Sequence, residues 1–229
     1  MDCSNCDRLG ARPCDARKQD QRRLAAEILA RSYSSRRFGD LDDAARFRRG
    51  LTPGQLERLA GRLSRATQAP VSVVPGAEDD LCDYVYLLCV GREPGLLELP
   101  PGTEAAPPPP VRDRYLRVAL SSLGPVAAVQ EVELRLDAAD AGAQPAPRRL
   151  STRTRSGVVD AALLPRTQRL VAALAAARIH HLDFDVLEEA PAGYDGGAFR
   201  DTFGAEPTLL NYLFFPWPAR SRATEYLAP

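Results

Sequence analysis

The sequence predicts an α+β protein: a helical N-terminal portion packed on a mainly antiparallel β-sheet, with one crossing helix in the C-terminal half. Three observations carry this. Apolar residues recur at helical spacing through the first 70 residues, alternating apolar and charged residues mark strands between 115 and 136, and an alanine-rich stretch at 164–179 has the period and composition of a helix.

Taken in order, residues 1–15 form an irregular leader bearing Cys3, Cys6 and Cys14. From Ala16 to Tyr33 the residues Leu24, Ala25, Ile28, Leu29 and Tyr33 share one helical face, and Leu41, Ala44, Ala45 and Phe47 suit a second short helix over Asp40–Arg49. The next helix is better marked. Thr52-Pro53-Gly54-Gln55 supplies an N-cap threonine, a proline at the first helical position and a glutamine at the capping-box position. Leu56, Leu59, Ala60 and Leu63 then form one stripe, fading near Thr67–Ala69.

Val71–Val74 reads as a strand ended by Pro75-Gly76. Asp79–Gly91 suits a helix with Leu81, Tyr84, Val85, Leu88 and Cys89 on one face, or a strand over 84–90; its β-branched and aromatic content favours the strand. Residues 100–112, with four consecutive prolines from Pro107 to Pro110, form an extended loop or linker, because proline donates to neither ladder nor helix. The chain thus divides into 1–99, the Pro-rich 100–112 and 113–229, as two domains or as one with a long loop.

Beyond that connection, Tyr115–Leu120 and Val126–Leu136 read as strands. In the second, Val132, Leu134 and Leu136 alternate with Glu131, Glu133 and Arg135, the pattern of a sheet wet on one face. Leu150–Val159 is an edge strand. Leu170, Val171, Leu174 and Ile179 give the 164–179 helix its face. His180–Glu188 alternates again, placing Leu182, Phe184 and Val186 inward and His181, Asp183 and Asp185 outward on a strand. Pro191–Gly204 reads as a glycine-rich loop, and Leu209–Trp217 is an apolar segment that is either core or a surface for a protein partner.

Composition narrows the function classes. The formal net charge is zero, so no global field draws the chain to nucleic acid or to an anionic membrane. Lys18 is the only lysine among thirty basic residues, which points to a GC-rich bacterial genome and to carboxylate-paired arginines. No run approaches the roughly 18 apolar residues of a membrane span, and the polar N-terminus does not resemble a signal peptide. A cytoplasmic location follows as the expectation, and in that reducing compartment clustered cysteines point to metal rather than to disulfides.

Four sets of residues are candidates for chemistry. Cys3-x-x-Cys6 lets two thiolates turn onto one ion, with Cys14 as third ligand and Cys82 as the natural fourth; zinc is expected, with an iron–sulfur cluster as the alternative. His181, Asp183 and Asp185 on one strand face would make a catalytic acid–base or metal-binding set, against the alternative of a solvated face. Arginines at 22–23, 36–37, 46–49 and 148–155 could grip phosphates, but interspersed acids argue for an ion-paired surface, so nucleic acid is not the expected partner. Gly193-Tyr194-Asp195-Gly196-Gly197 lacks the lysine and frame of a phosphate loop. The expectation is a non-enzymatic cytoplasmic binding protein whose N-terminus is stapled by a cysteine-ligated zinc. A metal- or cluster-dependent enzyme and an arginine-based nucleic-acid binder are the alternatives.

Overall fold

The computed structural model describes residues 14–42, 51–74, 85–92, 111–137, 148–155, 157–158, 160–214 and 221–227. Helix α1 spans Cys14–Ser32, with Asp15 in its first turn and Arg31 in its last, as its dipole favours. Helix α2 spans Pro53–Thr67 and begins with the predicted capping box: Gln55 N–H donates to Thr52 Oγ1 at 3.3 Å, and Thr52 N–H donates to Gln55 Oε1 at 2.8 Å. It ends where the stripe ends, with Gln68 in the left-handed conformation. The helix expected over 40–49 falls largely on residues outside those described.

The strands are β1 (Val71–Val74), β2 (Val85–Val90), β3 (Val111–Ser121), β4 (Val126–Asp137) and β5 (Arg148–Arg155), so the strand reading of 84–90 holds over its described residues, 85–90. Helix α3 (Leu164–Ala176) follows, then a two-residue strand β6 (His180–His181), and the short helices α4 (Phe184–Leu187), α5 (Gly197–Phe203) and α6 (Leu209–Phe214). A last strand, β7, covers Ser221–Leu227.

The sheet runs β1-β2-β3-β4-β5-β7 with every pairing antiparallel, and β6 adds to β4 in parallel. Strands from both sides of the Pro-rich segment therefore pair directly, at β2–β3. The outer edge of β4 is shared: residues 131–137 pair with β5, while Val126 and Ala127 pair with His180 and His181. A parallel partner needs a crossover, and α3 provides it.

Alternation along the strands gives the sheet two covered faces. Leu116, Val118, Leu120, Ala127 and Val129 point into a core with Leu59 and Leu63 of α2 and Leu170 and Leu174 of α3. Ala119, Val126 and Ala128 point the other way, into a core with Ala25, Ile28 and Leu29 of α1 and residues of α4 and α6. In this second layer Tyr212 stands edge-on to Tyr33, Phe38 and Tyr194, with ring centroids 5.2, 5.0 and 5.5 Å away. The α+β class stands, with helices on both sides of the sheet.

The structure corrects several local expectations. The strand predicted over 180–188 stops at His181, and the chain turns at once into α4. Leu182, Phe184, Val186 and Leu187 are all buried, which no single strand face allows. Glu131 and Glu133, expected on a wet face, are each 1% exposed. Gly157 and Asp160 lie against β4 beside them: Glu131 Oε2 accepts from Asp160 N–H at 2.8 Å, and Arg114 donates to Asp160 while lying 3.8 Å from Glu133. The glycine-rich stretch 191–204 contains α5, and Leu209–Phe214 forms helix α6 in the core.

Candidate functional site

The segment that carries His181 is placed by the way α3 ends. Arg178 takes a left-handed conformation at φ 61°, and Ile179 N–H closes on Leu174 O at 2.9 Å. The chain is thereby thrown against β4, where His180 N–H donates to Pro125 O and Leu182 N–H to Ala127 O. Asp183 then stands at the N-cap of α4, but its side chain caps nothing.

Its carboxylate is instead taken up by α1. Arg17 Nη2 donates to Asp183 Oδ1 at 2.8 Å, and Gln21 Nε2 to Oδ2 at 3.1 Å. Gln21 also accepts from Asp183 N–H at 3.0 Å and donates to His181 O at 3.3 Å, so one buried amide holds two residues of the segment. Beside Arg17, Lys18 pairs with Asp185 at 2.7 Å, and one turn further on Arg22 grips both oxygens of Glu189. The Arg22 guanidinium holds the Glu189 carboxyl below the usual carboxylate range, mainly by hydrogen bonding.

His181 and Asp183 come together, although not as neighbours on a strand face. His181 Nδ1 lies 3.6 Å from Asp183 Oδ1, beyond hydrogen-bond distance. Burial pushes the His181 pKa down, against the opposing pull of Asp183, and Arg17 adds a smaller downward push. The ring is therefore neutral at neutral pH. Asp185 is apart from this pair: its side chain is 75% exposed and turned to Lys18.

His181 also lines a cleft of about 520 Å³ between α1, α3 and β6. Leu24, Val171, Ala175 and Ile179 make its apolar wall, and Arg17, Asp20, Gln21, Arg23, Glu27 and His180 supply polar groups. His181 Nδ1 is buried and makes no hydrogen bond among the described residues. A second hollow of about 540 Å³, beside the β3–β4 turn, is lined by Ser121, Ser122, Pro125 and Arg178 among others, and among the described residues no carboxylate or imidazole borders it. The first cleft is thus the better equipped for chemistry.

The cysteine set is reached only in part. Cys14 is the first residue of α1, one turn before Arg17; Cys3, Cys6 and Cys82 lie outside the described residues. Among the described residues no three His, Cys, Asp or Glu side chains are grouped to hold a metal ion, and no helix is long and apolar enough to cross a membrane. Cys89 is buried with its thiol pKa raised by desolvation, Arg117 and Arg92 opposing, which marks a packing residue rather than a nucleophile. Sequence reasoning missed Arg17, Gln21 and Glu27. Their only trace was a place among the polar residues of a helix read for its apolar face. Comparisons with protein-family models, curated proteins and solved structures find no match to this chain.

Proposed function

We propose that the protein is a non-enzymatic cytoplasmic binding protein, that the α1–α3 cleft takes a small-molecule ligand, and that a zinc ion on Cys3, Cys6, Cys14 and Cys82 anchors the start of α1. The make-up of the cleft carries the reading. An apolar wall faces a few convergent polar groups, the His181 imidazole among them, which is the composition of small-molecule sites. The zinc reading is supported by position: Cys14 opens the helix whose next turn, at Arg17, forms a wall of the cleft.

Filling the cleft tests the first part. Small molecules that raise the melting temperature of the wild type and leave Ala175→Trp unmoved are expected; compounds that stabilise both equally would remove the cleft as the site. For the second part, one zinc per chain is expected in protein purified without chelator, and chelation should lower the melting temperature. Iron with visible absorbance would reassign the cysteines to an iron–sulfur cluster, and trace metal alone would end the proposal.

One observation favours a second reading, an acid–base enzyme. A neutral imidazole backed by a carboxylate at 3.6 Å and open to a cleft is equipped to accept a proton. Asp183 would orient and His181 would transfer, while Asp185, paired with Lys18, would take no part. A turnover lost in His181→Gln with ligand affinity retained separates this reading from simple binding. A nucleic-acid interface on α1 has less support, because Arg17, Arg22 and Arg23 are each paired with a carboxylate.

A further inference from the structure

The whole-chain charge balance hides a strong local imbalance. Helix α2 carries Arg58, Arg62 and Arg65, all exposed, on the side away from its buried Leu56, Leu59, Ala60 and Leu63. On the neighbouring α3, Arg169 and the following Arg178 are exposed and Arg166 is half-buried. Glu57 is the only acidic residue on either helix. Among the described residues none of these six arginines forms an ion pair or side-chain hydrogen bond.

The three arginines of α2 form a line. Their four- and three-residue steps correspond to about 6 and 4.5 Å along the axis. Two of the guanidiniums lie back along the helix: Arg58 Nη1 and Arg65 Nη1 stand 3.5 and 3.8 Å from where a Cβ on Gly54 and on Gly61 would be.

We infer that this α2–α3 face binds the sugar–phosphate backbone of a nucleic acid. Guanidinium forks pair with phosphate oxygens in two parallel hydrogen bonds, and a row of them suits an anion whose charges repeat along a line. A bilayer is a poorer fit, because the apolar side of α2 faces the sheet and leaves no wedge to enter lipid. Contacts to phosphate alone position a partner without reading its sequence, so binding is independent of base sequence.

Fluorescence anisotropy with a short mixed-sequence RNA and the DNA duplex of the same sequence tests this at low ionic strength. Binding is expected to weaken steeply with salt. The triple variant Arg58→Gln, Arg62→Gln, Arg65→Gln should bind at least about tenfold more weakly and flatten the log–log salt slope by about 2 to 3. The α1 variant Arg22→Gln, Arg31→Gln should retain wild-type binding. Urea unfolding of both variants confirms that the fold is intact. Undetectable binding of the wild type, an unchanged slope in the triple variant, or an equal loss in the α1 variant overturns the inference. So does equally strong competition by poly-aspartate or by phosphatidylserine vesicles, which would assign the face to acidic proteins or to membranes.

Discussion

The two helical layers solve the same packing problem with opposite treatments of charge. On the α1 side, Arg17, Lys18 and Arg22 are matched to Asp183, Asp185 and Glu189, and a buried glutamine closes the seam. On the α2–α3 side, the cores interlock through leucines and valines, and the arginines are left to solvent. Charge that is paired locates a neighbouring segment of the same chain. Charge that is unpaired is available to something else.

The comparison can be broken most forcefully at the cores. Leu29→Ala on one side and Leu63→Ala on the other, both fully buried, should each lose about 2–5 kcal/mol in urea unfolding. A much smaller loss for Leu29 would mean that the ion pairs, not packing, hold α1. Next in size is Asp183→Ala, which strands the Arg17 and Gln21 donors and should cost about 1–3 kcal/mol. If it costs nothing, the seam is decoration.

Acid should separate the layers in a different way. The unfolded His181 titrates near 6.5, and its folded pKa is lower. As pH falls below 6.5 the unfolded chain therefore takes up the proton first, and stability declines until the folded pKa is passed, by at most about 1.4 kcal/mol per pH unit. That slope should vanish in His181→Gln. The Glu189 pKa is held below 4.5, so its contribution is lost only at more acid pH. The smallest effect belongs to the other layer: Arg58→Gln and Arg62→Gln should change stability by no more than about 0.5 kcal/mol each.

Much of the α2–α3 layer was legible because its signals are local. The Thr52–Gln55 box, the Leu56–Leu63 stripe and the valines of β1 lie within a few residues of what they specify. The α1 seam was not, since Gln21 and Asp183 are 162 positions apart and nothing in either neighbourhood names the other. The alternation of His180–Glu188 misled for a related reason. A four-residue helix is too short to display its own period, so Leu182, Phe184 and Val186 passed for a strand face. His181 and Asp183 were singled out on a face that does not exist, yet the turn at Asp183 brings them together. Zero net charge concealed the arginine ridge, because a sum carries no positions.

The length of the α1 seam also has a consequence for synthesis. Helix α1 leaves the ribosome well before Asp183, Asp185 and Glu189, the carboxylates that take up Arg17, Lys18 and Arg22, which are encoded more than 160 residues later. Until those residues emerge, the buried Ile28 and Leu29 have neither α6 nor the 182–189 segment to pack against. The nascent chain therefore carries α1 without this seam for more than 160 residues of synthesis, while α2 meets β1 and β2 early. Holding that helix safe until the 182–189 segment arrives is a demand the finished fold no longer shows.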